Sequence, residues 1–395
     1  MKSVILSGPL LSMSGYGVHA RQVVRWLFSL ADEYDLDITT ECTRWGMTPW
    51  IVDTQAEDGL IGQIIQATGN TKPFYDQSIQ IKLPNEFNPF LAGSNTGITA
   101  GVETDVCSKE WVSCINRMQK MIMPSEFTKQ TFLNSGKVTV PIEVIPESYP
   151  DVMGEDLGSD ILDLNLKTKF NFLIVGTLTG NNPENDRKGI LYAIKWFAEV
   201  FANNPNVGLI VKTSMFRQTH LDRTVATNIF NKVLYENNLQ TPGGPSFYLL
   251  HGDMTDREMG QLYTHPSVKC LLALTRGEGF GLPILEAAVS GLPVMATNHS
   301  GYLDFLQPKK WLPVNCTINP IHPTRVDNNI FVPDSKWAYP DEQDAKKKMS
   351  RFFDNPQIPT KWAKEMSVGL KISHSFKTIS EKYTQSFKEQ LSSQQ

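Results

Sequence analysis

Three things are scarce in this 395-residue chain: paired cysteines, long apolar runs and an excess of charge of one sign. Cys42, Cys107, Cys114, Cys270 and Cys316 are odd in number and show no Cys-x-x-Cys spacing. That excludes a disulfide framework or a zinc ribbon and points to a reducing, cytoplasmic setting. No stretch approaches the ~18 consecutive apolar residues needed to cross a bilayer, so a soluble protein without integral membrane contact is expected. The opening Met1-Lys-Ser-Val-Ile-Leu run is too short for a signal peptide and reads as a first strand. A net charge of -4 excludes a global basic field for nucleic acid or anionic membrane. Internal repeats and low-complexity tracts are lacking as well, which excludes a solenoid or a disordered array.

What is present is a globular balance, 41% hydrophobic and 20% charged, in a chain long enough for two domains. A short apolar strand at 4–6 precedes Ser14-Gly15-Tyr16-Gly17, and Val23, Val24, Leu27 and Phe28 then recur at helical spacing over 18–30. Strands are expected at 37–40, 79–83, 97–100, 121–123 and 142–145, with helices at 109–118 and 125–135 between them. The pattern restarts after a polar stretch, with strands at 170–175, 207–212, 247–250, 268–272 and 293–297 and helices at 189–202 and 223–237. Two such α/β series predict two Rossmann-like, doubly wound domains facing a cleft, where ligands bind beyond the C-terminal strand ends. The expected domains are residues 1–150 for the acceptor, a linker at 151–169, residues 170–374 for a nucleotide-sugar, and a tail helix at 375–395.

The densest signal runs from Thr275 to Thr297 and contains Glu278-Gly-Phe-Gly-Leu-Pro-Ile-Leu-Glu286. A strand ends, a loop with glycines at 277, 279 and 281 follows, Pro283 suits the first helical position, and Gly291 supplies a left-handed cap. Glycines let backbone amides approach a ligand closely. A helix start adds unpaired donors and roughly half a positive charge, which suits a diphosphate without a metal. Gly279, Phe280, Gly281 and Leu282 are therefore candidate donor-binding positions. Glu278 can accept hydrogen bonds from sugar hydroxyls, and Glu286, a turn further on, from a vicinal diol such as a ribose. The plainer alternative is a tight strand–turn–helix in which the glycines only permit the turn.

Glu-x7-Glu around Gly-Phe-Gly-Leu-Pro, followed by Ala-x-x-x-Gly-x-Pro-Val, resembles the retaining glycosyltransferases of the GT-B fold, the family 4 group also called glycosyl transferases group 1. The likeness covers most of the C-terminal half and, more weakly, the N-terminal half. It implies a nucleotide-sugar donor such as UDP-glucose or a GDP-hexose, retention, no cofactor or metal, and a last helix that crosses back to the N-terminal domain.

By the same resemblance Lys188 matches the lysine on the donor diphosphate, with Arg187 beside it; the usual arginine is here Thr177. A cation there stabilises the charge that develops as the sugar leaves. Lys212, at a strand end, is a second candidate diphosphate contact, and His251-Gly252 is placed near the base. Gly15 and Gly17 are implied to approach the donor or acceptor. Many members carry a cleft histidine after the strand at 97–100; this chain has Glu103 and Asp105 instead. Glu103 is thus the candidate that orients or deprotonates the acceptor, against a plain turn in which Asp105 caps the next helix. Trp45 and Trp111 could stack on sugars or fill cores, and the loop 300–304 resembles one that contacts the donor.

The expected catalytic set is Glu103, Lys188 and Glu278. The reading is an enzyme, monomer or homodimer, that moves a hexose to an acceptor hydroxyl. Glycan, lipid-linked sugar, protein and hydroxymethylated DNA base are all compatible acceptors, the acidic balance disfavouring long DNA. The alternatives are an epimerase of the same fold and a degenerate nucleotide-sugar-binding protein, which Thr177 and the missing histidine favour.

Overall fold

The computed structural model describes all residues except 70, 156, 158–161, 178–181, 215–216 and 392–395. The chain forms two compact units: Met1–Ser148 with Asn328–Val332 and the chain from Phe376 onward, and Tyr149–Asp327 with Pro333–Ser375.

The first unit runs β1 (Lys2–Gly8), α1 (Gly15–Ser29), β2 (Leu36–Cys42), α2 (Leu60–Ala67), β3 (Gln77–Ile81), β4 (Ser94–Ile98), α3 (Lys109–Ile115), β5 (Lys120–Met123), α4 (Glu126–Ser135) and β6 (Ile142–Val144). The strands form one parallel sheet in the order β2-β1-β3-β4-β5-β6. Strand order turns back between β1 and β3, so the loop after β1 opens at a switch point. Val4 and Leu6 of β1 and Val23, Val24 and Leu27 of α1 are buried together, as their spacing predicts. The helix begins at Gly15 rather than 18, because the Ser14 hydroxyl accepts the Gly17 amide as an N-cap.

The second unit runs β7 (Phe170–Val175), α5 (Ile190–Val200), β8 (Val207–Thr213), α6 (His220–Glu236), β9 (Ser246–His251), α7 (Asp256–Thr264), β10 (Val268–Ala273), α8 (Leu282–Val289), β11 (Val294–Thr297) and β12 (Leu312–Val314). A hairpin, β13 (Cys316–Pro320) and β14 (Lys336–Pro340), and two helices, α9 (Glu342–Asp354) and α10 (Gln357–Ser373), follow. The parallel sheet has the order β12-β11-β10-β7-β8-β9. From β7 the chain winds outward through β8 and β9, then returns to place β10 on the other side. The C-terminal ends of β7 and β10 are therefore the switch point, where open sheets of this kind bind ligands.

The tail forms α11 (Phe376–Ser386) and α12 (Lys388–Leu391) and returns to the first unit. Trp26 of α1 donates to Thr384 Oγ1 at 2.9 Å and packs on Tyr383 and Phe387 at 5.2 Å. The final Ser-Ser-Gln-Gln lies outside the described residues. Lys346 and Lys348 of α9 pair with Glu342, Glu199 and Asp344.

Candidate active site

Two loops meet at the ends of β7 and β10. The first carries Asp186-Arg187-Lys188-Gly189 into α5. Gly189 has φ +66, and a Cβ on it would lie 2.1 Å from the Leu274 carbonyl oxygen. Only glycine lets this loop lie against the end of β10. The Asp186 carboxylate accepts the Leu191 amide at 2.9 Å and so ties the loop to the start of α5. Burial raises the Asp186 pKa, against the backbone amides and Arg276, which pull it back.

The second loop runs from Leu274 to Gly281. Gly281, at φ +100, turns the chain into α8, and a Cβ there would sit 3.2 Å from the Tyr302 ring. The ladder of α8 opens with Ile284 donating to Gly281 O at 2.9 Å. The Gly281 and Leu282 amides lie ahead of it, and Pro283 supplies no donor. Proline thus sits second in the helix rather than first, and Gly291, at φ +73, ends the turn after α8.

Glu278 joins the two loops. Lys188 Nζ lies 2.8 and 2.9 Å from its two carboxylate oxygens, and Arg187 Nη1 lies 3.2 Å from Oε2. Thr275 donates its hydroxyl to Oε1 at 2.9 Å. Burial alone would raise the Glu278 pKa; Lys188, Arg187 and these hydrogen bonds hold it down at about 2. The carboxylate is thus charged at neutral pH, and each oxygen already serves two donors, which fills its ordinary capacity. Two cations against one carboxylate leave the cluster with an excess positive charge.

Behind the cations stands Arg276, which sequence reasoning missed. It is 1% exposed. Its guanidinium donates to the carbonyls of Pro183 and Glu184 at 2.9 and 3.0 Å and lies over Tyr339 and Trp337, at 4.6 and 5.0 Å. Its amide donates to Arg187 O at 2.8 Å, and Arg187 in turn donates to Gly277 O at 2.6 Å. The available signal was an arginine inside a run of glycine and apolar residues, where a plain turn needs none.

Glu286 is half-buried on α8 and accepts the Tyr263 hydroxyl at 2.9 Å. Burial pushes its pKa up to about 7, with Asp256 adding to the rise and Tyr263 and Lys212 opposing it. Lys212, next to last in β8, donates to Gly252 O at 2.6 Å, and has its pKa lowered by burial against the pull of Asp253, Glu258 and Glu286. The structure thus places Lys212 and Glu286 in one electrostatic neighbourhood, and Arg187, Lys188, Glu278 and the Gly279–Leu282 backbone in another. The Phe280 ring belongs to neither: it is buried against Phe305 at 5.2 Å, so only its backbone can face a ligand. Leu178 of the expected phosphate region lies outside the described residues, while Thr177 is exposed.

Gly15, Gly17 and Glu103 belong to the first unit. The glycines sit in the first turn of α1 rather than in a loop. A Cβ on Gly17 would lie 1.9 Å from Ser12 O, whereas Gly15 has open space. Between them Tyr16 stacks on Trp45 at 4.0 Å, and its hydroxyl meets Thr99 Oγ1 and the Ala100 amide, both at 3.0 Å. Burial and the charge of Glu103 both raise the Tyr16 pKa, so the α1 start and the Glu103 turn share a neighbourhood. Ser108, not Asp105, caps α3. Trp111 is fully buried, as a core residue.

Residues 230–319, which span α8 and the Glu278–Glu286 segment, match the family described as glycosyl transferases group 1. This chain is a glycosyltransferase. Its fold is similar to that of sucrose-phosphate synthase from Thermosynechococcus elongatus, with 14% identity over 99% of both chains and a TM-score of 0.65. It is also similar to HepE of Anabaena, solved in complex with UDP and glucose, with 13% identity over 98% of this chain and 100% of that one and a TM-score of 0.62. At these identities the likeness carries the fold, GT-B. No curated protein sequence matches the chain. Among the described residues of the glycosyltransferase no helix is long and apolar enough to cross a membrane. Nor does any group of three or more His, Cys, Asp or Glu among them have metal-binding geometry.

Proposed function

We propose that this glycosyltransferase moves a hexose from a UDP- or GDP-sugar to an acceptor hydroxyl, with retention and without a metal. The observation that carries the reading is the Arg187–Lys188–Glu278 cluster at the switch point, beside the start of α8. A donor diphosphate carries charge that suits two cations and the Gly281 and Leu282 amides. When it takes up Lys188 and Arg187, the Glu278 oxygens they vacate become acceptors for the hexose hydroxyls. The carboxylate therefore holds the cations in place before the donor arrives and reads the sugar afterwards. Leaving-group charge is stabilised by Lys188 and Arg187 at the moment it develops.

Glu286 accepts the ribose diol through the oxygen that Tyr263 does not engage, with Lys212 offsetting its charge. HepE, of like fold, was solved with UDP and glucose, which supports a donor of this class. Retention proceeds by front-face attack, the departing phosphate taking the acceptor proton, with Glu103 orienting the acceptor and the Gly15–Gly17 turn approaching it. The test is nucleotide release and sugar transfer from UDP-glucose and a GDP-hexose, with a glycan, a lipid-linked sugar, a protein and hydroxymethylated DNA as acceptors. Glu286→Ala is expected to weaken donor binding at least about tenfold, the loss of one charge-assisted hydrogen bond. Unchanged transfer kinetics in that variant would sink the site assignment.

A further inference from the structure

Ser300 has φ +81 and ψ -164, a region in which almost only glycine is at ease. It is a serine, it is 4% exposed, and it stands immediately before a glycine that could have carried the turn. Strain of this kind persists only where the surroundings repay it. Here the Ser300 hydroxyl accepts the amide of Glu278 at 3.0 Å. The next amide, of Gly301, donates to the Glu278 carbonyl at 3.0 Å. The backbone of Glu278 is thus gripped on both sides by one turn. Tyr302 closes the turn: its phenol is buried and donates to Thr297 O at 2.6 Å. Its ring lies where a Cβ on Gly281 would touch it.

We propose that Ser300 is a positioning residue for Glu278. Its strained backbone aims the hydroxyl at the Glu278 amide, and this fixes the carboxylate against Lys188 and Arg187. A glycine at 300 would relax the turn but leave the buried amide unpaired. An alanine would keep the strain and still lose the bond. Ser300 touches neither cation, so its effect on the cluster passes through the Glu278 main chain. The link to turnover rests on the donor-site reading above.

The experiment compares Ser300→Gly and Ser300→Ala in the full chain by amide hydrogen exchange, thermal melting, UDP and GDP binding, and donor turnover. Exchange at the peptide containing Glu278 is expected to rise about tenfold in both variants without ligand, the loss of one buried hydrogen bond. Ser300→Ala should melt below the wild-type protein, and Ser300→Gly above Ser300→Ala. Turnover should fall about tenfold in both, with diphosphate Kd changed less than about threefold, since the cations remain. Unchanged exchange at Glu278 overturns the proposal, and so does wild-type turnover in a variant whose loop exchanges faster. If the wild-type protein neither binds a diphosphate nor consumes a donor, the donor reading fails while the exchange result still decides the role of Ser300 at Glu278.

Discussion

Lys188 meets Glu278 symmetrically, its Nζ within 2.8 and 2.9 Å of the two carboxylate oxygens. The lysine lies two residues before the helix after β7 and the glutamate precedes the helix after β10, so this one pair ties together the two strands at the switch point. Its geometry decides how the site responds to acid, to ligand and to substitution.

Acid should unfasten the pair in a defined window. The Glu278 pKa lies below its ordinary value of 4.5, at about 2. Its contribution is therefore complete above pH 4.5 and is lost as pH falls from 4.5 towards 2. The shift corresponds to about 3 kcal/mol. Urea unfolding of wild type and Glu278→Gln should differ by about that much at pH 6 and converge by pH 2. A constant difference across the window would contradict the pairing.

Glu286 gives the opposite sign at a different pH. With its pKa raised to about 7, it gains a proton below neutrality and can no longer accept both hydroxyls of a diol. Donor KM should rise as pH falls below about 7, by up to about tenfold per unit, and become flat in Glu286→Gln. Tyr263→Phe removes a bond that lowers this pKa, so the break should move to higher pH. Kinetics across pH 5.5 to 8.5 check both points, and a pH-independent wild-type KM refutes them.

Gly189 and Gly243 separate backbone freedom from close approach. Both have positive φ, +66 and +79, but nothing lies within 4 Å of a Cβ on Gly243, whereas one on Gly189 meets Leu274 O at 2.1 Å. Gly243→Ala should cost about 1 kcal/mol, the backbone penalty alone. Gly189→Ala should cost about 3 kcal/mol or more, because a strand end must shift, and should abolish diphosphate binding by displacing Lys188. Calorimetric melting of the two variants measures the contrast. Equal melting points would mean that the loop does not need its contact with β10.

Much of this was legible in the residues. β7 begins and ends where its apolar run does, at Phe170 and Val175 with Asn171 as its one polar residue, because a central parallel strand buried on both faces reads as a near-continuous hydrophobic block. The turn around Gly281 and Gly291 was legible for the same local reason: two positive φ values and a proline bracket a short helix. Boundaries set by side-chain caps were harder. α1 starts three residues early because Ser14 caps it, and α7 (Asp256–Thr264) escaped notice because its apolar residues are few and its start depends on a Thr255–Glu258 capping box.

Site partners distant in sequence were least legible. Nothing local to Ser300 or Tyr263 marks them as contacts of Glu278 or Glu286, since those contacts exist only once β10 and its neighbours are in register. Conversely, Phe280 lies inside the motif, yet its ring serves packing, a division that no spacing rule reveals.

The cradle around Arg276 bears on how donor preference could be re-engineered. Its guanidinium is gripped by Pro183 and Glu184 from one stretch of chain and by Trp337 and Tyr339 from the hairpin β13–β14, while its amide holds Arg187. Those stretches lie far apart in sequence but form a single cassette. A graft that imports a foreign Arg276–Glu286 segment without its matching hairpin leaves a buried charge without its aromatic walls. Transplants between such enzymes should therefore exchange the cassette whole.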